Sequence, residues 1–416
     1  MLAIAALGGC SRPQPTAKKH SPGVASRMAL SAAPSRPAFA PPPAPSSRRA
    51  EQDEPPETAA SAQPSSSRWV IDELGDVGPA GPSTASPEGV VLVTREGDTL
   101  LGRLKGPLPK GRKPAKTRVE PVKAEASSFV ASGVGPALLG GVAYFVSHGR
   151  LVRRRIGADS GLDVLAPDAR DGSRVAAAAA LAGQDPGRAM VAFLARSVGR
   201  LVAKLWVEGA GVHVLSPEGT SISSVALARS GADWMALSLE GRSSMSPMHA
   251  RRIKLKDGGV ELGNDVVVWV GGGAEQLTEL TAIGTTSGEV HVFVPIERDM
   301  THFGLARIEV DAEPRMDAEV WWRNYPNGVE PAATAAAWVC GMPLLFYARP
   351  ADATPHAPEE LHLAPVTDDG LGPSEVVARG RLVTNLSVAP LPGGALVSYV
   401  ADKRTWACTV RCGPGR

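Results

Sequence analysis

From Trp69 onward the apolar residues arrive in runs of four to six, separated by Gly, Asp and Pro. Nothing there sustains the three-to-four-residue spacing of an amphipathic helix, so the pattern predicts many short β-strands. The runs include "VVLVT" at 90–94, "VAYFV" at 142–146, "WMAL" at 234–237 and "ALVSYV" at 395–400. One stretch reads differently. "RVAAAAALAG" (Arg174–Gly183) favours helix on intrinsic propensity, although both of its neighbours read as strands.

The runs repeat. Gly89, Gly141, Gly187, Gly231, Gly288, Gly341 and Gly394 each stand just ahead of one, 44 to 57 residues apart. Each unit reads as strand A, a glycine turn, strand B, a loop, strand C, a turn and strand D. The clearest copy is "SSVALAR", "WMALSLE", "MHARRIKL" and "DVVVWV". Two neighbouring units share the phrase "GRLV", at Gly149–Val152 and Gly199–Val202. Four strands in about 50 residues, repeated in series, resembles the β-propeller. The resemblance lies in the period alone, because no Trp-Asp repeat, kelch signature or Asp-box occurs. It implies an all-β propeller over residues 68–416, with seven four-stranded blades; six or eight blades, or a pair of β-sandwiches, are the alternatives. The last unit holds three strands, so Trp69–Leu74 is expected to supply the fourth and close the ring, which also removes exposed sheet edges.

Upstream, the character changes. Leu2–Leu7 is an apolar run, followed by Leu7-Gly8-Gly9-Cys10, which resembles the lipobox of bacterial lipoproteins. That resemblance implies a signal peptide over 1–9, cleavage before Cys10, lipid on its thiol, and a membrane as partner through that lipid. Ser11 rather than Asp after the cysteine fits delivery to the outer membrane. No Lys or Arg precedes the run, which a secretory signal usually carries; the expectation is a start upstream of Met1. Residues 10–67 are rich in Pro, Ala and Ser, with too little apolar content to repay the entropy of ordering. As a flexible coil, the 57 residues Ser11–Ser67 span roughly 40 Å, a disordered tether between lipid and domain.

Composition narrows the functional classes. A net charge of +2 gives no basis for nucleic-acid binding. Aromatics are 5% of residues, so the core must rest largely on Val, Leu and Ala. Four cysteines are too few and too scattered for a zinc site or a disulfide scaffold, and neither cofactor nor metal is expected. Beyond Cys10 three thiols remain. Cys408 and Cys412 would lie about 13 Å apart along one strand, beyond the ~7 Å reach of a disulfide. Cys340 is a partner for either, so the pairing stays open.

Candidate chemistry is sought on the face carrying the B–C and D–A loops. "EVWWRNYPNGVEP" (Glu319–Pro331) offers Trp322 and Tyr325, with Arg323, Asn324 and Asn327, as a flat platform with hydrogen-bonding groups for a sugar or peptide. "PIERDMTH" (Pro295–His302) offers Glu297, Asp299 and His302 as an acid/base or cation cluster. "ARSVG" (Ala195–Gly199) lacks the first glycine of a nucleophile elbow and falls in a hairpin, not a strand-to-helix turn. His356 and His362 are spaced poorly for a metal. The basic loop Gly102–Lys123 reads as a solvated insertion between strands C and D. Together these imply an envelope protein whose propeller binds or scaffolds a protein or glycan partner. A propeller-type glycan hydrolase or lyase, and an outer-membrane assembly factor, are the alternative readings.

Overall fold

A computed structural model describes most of the chain between Trp69 and Gly413, interrupted chiefly at residues 105–118, 123–136, 180–187 and 325–332. The chain divides into two units, Met1–Gln63 and Pro64–Arg416, and every strand described belongs to the second. Cys10 and the segments 1–9 and 10–67 lie outside the described residues.

The described residues are all-β, and their strands form antiparallel sheets taken up in chain order. Sheet 1 comprises Ser83–Ala85, Val90–Arg95, Asp98–Leu104 and Val119–Val122. Sheet 2 comprises Ala137–Leu139, Val142–Ser147, Arg150–Arg155 and Asp163–Ala166. Sheet 3 follows with Ala176–Ala179, Ala189–Ser197, Arg200–Val207 and Gly211–Val214. Sheet 4 is Ile222–Ser230, Asp233–Glu240, Pro247–Lys256 and Gly259–Val270, matching the clearest sequence copy strand for strand. In sheet 5 strand A is split into Glu275–Leu277 and Thr281–Gly284. Val290–Arg298 and His302–Val310 follow, and the outer strand is split into Arg315–Asp317 and Arg323–Asn324. Sheet 6 has Thr334–Val339, Met342–Pro350, Glu359–Thr367 and an outer strand split into Gly370–Leu371 and Glu375–Gly380. Sheet 7 has Thr384–Leu391, Gly394–Ala401 and Arg404–Cys412, and its outer strand is the N-terminal Trp69–Pro79. Sheet 1 is described by backbone alone and sheet 5 mainly so; the other five are described in their side chains over most of their length.

This is a β-propeller arrangement. The A strands of consecutive sheets touch one another from sheet 1 to sheet 7, and that of sheet 7 touches that of sheet 1. Crowding at this inner circle selects small residues. A methyl group on Gly284 would overlap the carbonyl oxygen of Arg229 on the neighbouring A strand. The same crowding explains the alanine run: Ala176–Ala179 is strand A of sheet 3, paired with Ala189–Ala192, and not the helix that its intrinsic propensity favours. Its place against strand B outweighs a modest helical propensity.

The core is a series of apolar seams between neighbouring sheets rather than one mass. Tyr144, Val191 and Phe193 share the seam of sheets 2 and 3. Met190, Leu205 and Ile253 share that of sheets 3 and 4. Leu237 with Val292, and Phe293 with Leu345, fill the next two, and Phe346 with Val397 the last described. Phe145, Phe193, Phe293 and Phe346 are all fully buried and all on B strands. The bulk that the A strands cannot carry therefore sits one strand further out.

Outer strands are pinned by polar side-chain contacts. Between strands C and D, Arg153 Nε donates to Asp163 Oδ2 (3.1 Å), and His249 Nδ1 lies 2.8 Å from Asp265 Oδ2. Arg379 Nε donates to Glu360 Oε1 (2.8 Å), and Arg411 Nε to Asp72 Oδ2 (2.7 Å). The last pair is buried on both sides and joins the two ends of the domain, where Trp69–Pro79 pairs along Arg404–Cys412. The expected closing strand is thus present. A disulfide between Cys340 and Cys412 ties the A–B turn of sheet 6 to the end of that strand pair, and Cys408 is left as a buried thiol.

Two stability predictions follow from this closure and crowding. Asp72→Ala, which removes the carboxylate paired with the buried Arg411 guanidinium, should cost about 3–5 kcal/mol in denaturant unfolding, while Asp72→Leu with Arg411→Met should recover most of it. Gly284→Ala should cost about 1–3 kcal/mol, against little change for Gly259→Ala, which has open space around it.

Candidate functional site

Strand order assigns each connection to a face. The B–C turns and D–A connections lie together at one end of the sheets, called here the upper face. On it, at the seam of sheets 2 and 3, an open cleft of about 520 Å³ is lined by His148, Arg150, Pro167, Asp168, Asp171 and Arg196. That volume is within the range of small-ligand sites.

Local sequence explains each position. His148 and Gly149 form the two-residue B–C turn of sheet 2, both at positive φ (49° and 72°), as a tight hairpin demands. Val198 and Gly199 do the same in sheet 3, with Val198 at φ 41° and fully exposed. A β-branched residue in that region is strained. The D–A connection between the two sheets is stitched onto strand B of sheet 3. Arg196 N–H donates to the Asp168 carbonyl (2.6 Å) and Arg170 N–H to the Leu194 carbonyl (2.8 Å), flanking a bridge between Ala169 and Ala195. Asp168 itself sits at φ 62°. The two strained turns and this stitched segment fix the rim of the cleft.

Charge in the cleft is mixed and incompletely paired. Asp171 Oδ1 accepts from the Gly149 N–H (2.9 Å), so that carboxylate is committed to holding the turn. Ser147 Oγ lies 3.0 Å from His148 Nδ1. Neither Arg150, Arg196 nor Asp168 has an ion pair or side-chain hydrogen bond with another described residue. Two guanidinium groups, an imidazole and one carboxylate thus face solvent at one opening. Such a set can bind hydroxyl and anionic groups through charge-assisted hydrogen bonds.

The sequence-derived candidates fall elsewhere. Trp322, Tyr325, Asn327 and Asp299 lie outside the described residues. Arg323 and Asn324 form a short piece of outer strand in sheet 5, in register with Phe303 and His302. Glu297 is in register with Phe303, and His302 with Arg298. The backbone therefore brings Arg323, Asn324, Glu297 and His302 to the same upper end of one sheet, in consecutive rows of its ladder. Glu297 and His302 themselves fall in different rows, and rows alternate between the two faces of a sheet. Among the described residues no group of three or more His, Cys, Asp or Glu could hold a metal ion.

The cleft residues were missed, although a signal existed. "GRLV" places a glycine turn and the first arginine of strand C at Gly149–Arg150 and Gly199–Arg200, the two hairpins beside the cleft. "ARSVG", rejected as a nucleophile elbow, supplies Arg196 and the strained Val198.

No family model and no curated protein matches this chain. Solved structures do. A polysaccharide lyase of family PL25, an ulvan lyase bound to -[GlcA(1-4)Rha3S]-, superposes with a TM-score of 0.50 at 12% identity, covering 82% of this chain and 95% of its own. This likeness shows the fold. An α-L-arabinanase of Penicillium chrysogenum complexed with arabinobiose matches at TM-score 0.41 and 10% identity, covering 82% of this chain and 98% of its own. A mutant lectin of Aleuria aurantia in complex with Fucalpha1-6GlcNAc matches at 0.37 and 13%, over 64% and 87%.

A buried network lies below the B–C loop of sheet 6. Arg349 Nε donates to His362 Nε2 (3.0 Å), which also lies 3.0 Å from Glu360 Oε2, and Ser374 Oγ lies 3.3 Å from Nδ1. Tyr347 stacks on the imidazole with ring centroids 5.6 Å apart. Burial pushes His362 below its ordinary range, helped by the Arg349 charge and opposed by Glu360. His356 lies outside the described residues. As pH falls below about 6.5, the unfolded chain takes up a proton that folded His362 resists. Stability should therefore fall with pH across that window. The stability of the native protein relative to His362→Gln should narrow between pH 7.5 and 5 in denaturant unfolding; a constant difference refutes the assignment.

Proposed function

We propose that the protein is a lipid-anchored binding protein of the bacterial cell envelope. In this reading Cys10 carries the lipid, residues 11–67 are the tether, and a propeller of seven blades presents its upper face to a glycan or protein partner. The observation that carries the binding role is the open cleft between sheets 2 and 3, whose guanidinium groups and carboxylate lack partners among the described residues. Glycoside hydrolysis calls for a pair of carboxylates flanking the scissile bond. Here Asp171 is occupied by the Gly149 amide and Asp168 is exposed, which favours recognition over cleavage. The ulvan lyase, with its saccharide ligand, lends the glycan reading a precedent on a similar fold.

Two further observations support the blade number and the compartment. Consecutive sheets with touching A strands, closed by Trp69–Pro79 on the last, support seven blades. The Cys340–Cys412 disulfide fits an oxidising compartment outside the cytosol, as an outer-membrane lipoprotein requires.

The full-length protein tests both halves. Cys10→Ser should move it from the membrane to the soluble fraction with its unfolding midpoint unchanged; retention in the membrane overturns the anchor. In pull-downs from envelope extract, His148→Ala with Asp168→Ala should lower partner recovery at least tenfold, and Asp369→Ala, in a C–D turn on the opposite face, should leave it unchanged. Equal recovery across all three overturns the upper face as the binding surface.

A further inference from the structure

We infer that the cleft between sheets 2 and 3 recognises an acidic sugar, a residue bearing a carboxylate or sulfate, with Arg150 and Arg196 gripping the anion and Asp168 accepting from its hydroxyls. The inference rests on the upper face being the binding surface and adds the chemical class of the ligand. Three features of the lining carry it.

First, Arg150 and Arg196 differ from the arginines that hold outer strands. Arg153, Arg379 and Arg411 sit within strands and are matched to carboxylates on adjoining strands. Arg150 and Arg196 sit at hairpin ends on the same rim, and neither is matched to a carboxylate of the described structure. A guanidinium fork held at a pocket and left unmatched is complementary to a planar carboxylate or to two oxygens of a sulfate.

Second, Asp168 lines the same cleft without pairing to either arginine. Its backbone is held at positive φ, and its carbonyl accepts the Arg196 N–H, so the carboxylate is presented from a fixed point. An acceptor beside two cationic donors suits a ligand that carries hydroxyl donors as well as an anion. A saccharide does both within one ring.

Third, among the described residues the apolar lining is limited to Pro167 and Ala169, and the one ring is the polar imidazole of His148, with no Phe, Tyr or Trp. Protein interfaces draw much of their energy from fully desolvated Trp, Tyr and Arg anchors, whereas the two arginines of this cleft are exposed and no Trp or Tyr lines it. With no Phe, Tyr or Trp to stack upon, a neutral sugar would have to be held by hydrogen bonds alone, whereas an acidic sugar gains the charge-assisted contacts.

The test uses the intact protein and immobilised polygalacturonate (carboxylate), heparin (sulfate and carboxylate) and dextran (neutral). Retention on one or both acidic polymers, with none on dextran, is expected, and the pattern tells carboxylate from sulfate. Arg150→Ala with Arg196→Ala should weaken that binding at least tenfold, at an unchanged unfolding midpoint. Lys254→Ala with Lys256→Ala removes the same charge from an exposed strand of sheet 4 and should weaken it less than twofold. Equal losses in the two double variants would reduce the binding to net charge and overturn the inference. Retention on dextran that Arg150→Ala with Arg196→Ala leaves intact would also overturn it, while leaving glycan binding by the protein standing. No retention on any polymer, with partner capture from extract still dependent on His148 and Asp168, would overturn the sugar class and point to a protein ligand at the same cleft.

Discussion

The join between the two ends of the domain is the constraint on which the remaining structure depends. Each sheet packs on the next through an apolar seam, and the A strands crowd one another around a closed circle. An open series of such sheets would leave two apolar faces and two strand edges unpaired. Trp69–Pro79 closes it, and the buried contact of Asp72 with Arg411 lies within that closing pair. A charge pair taken out of water contributes little net stability over an apolar pair of equal size. Its value here is selective: a strand that presents Asp72 at this register sets a carboxylate against the buried Arg411 guanidinium.

The same logic extends to the other outer strands. A D strand lies at the rim, covered by few apolar neighbours, and Val164, Val212, Val214, Val266 and Val267 on three of them are exposed. Apolar burial alone therefore holds these strands weakly. Ion pairs between strands C and D compensate in sheets 2, 6 and 7, with the roles of acid and base exchanged in sheet 6, and the contact of His249 with Asp265 does so in sheet 4. Arg153 goes further. It also reaches Glu208 on the next sheet at 2.9 Å and lies over the Trp206 ring, so one side chain fastens an edge strand and a seam together.

How far the sequence disclosed this follows from which forces are local. The glycine period marks backbone sterics: Gly288, at φ 96°, lies against Gly231 of the neighbouring turn, and no side chain fits between them. Positive φ recurs at Gly231, Gly288 and Gly341, each just ahead of a B strand, so the strand order, the clearest four-stranded unit and the closing N-terminal strand could be read from the chain. The alanine run was ambiguous because helix propensity is intrinsic while the need for small residues at the inner circle is tertiary. The cleft was harder still. Arg150 and Asp168 are 18 residues apart, and Arg196 belongs to another sheet, so no window of sequence contains the constellation. Searching for compact motifs favoured Glu297, Asp299 and His302, which are close in sequence, over residues that only the seam brings together. The repeated "GRLV" was the local trace, since it encodes the paired hairpins that frame the opening.

Those hairpins also explain why charged groups remain available there. At Arg153, Arg379 and Arg411 the ladder register sets a guanidinium against a carboxylate on the adjoining strand. At the rim, two-residue turns with φ of 49° at His148 and 41° at Val198 leave little freedom to readjust. The stitched segment from Asp168 to Arg170 is held by backbone bonds to strand B of sheet 3. The backbone therefore presents Arg150 from one hairpin and Arg196 and Asp168 from segments joined by a backbone hydrogen bond, and no side-chain pairing forms among the three. Strain of this kind is retained where the surrounding structure over-determines it, and it is concentrated at sites of function. A rigid frame with unmatched charge loses little freedom when a ligand supplies the missing partner, which is the physical condition for selective binding at a shallow opening.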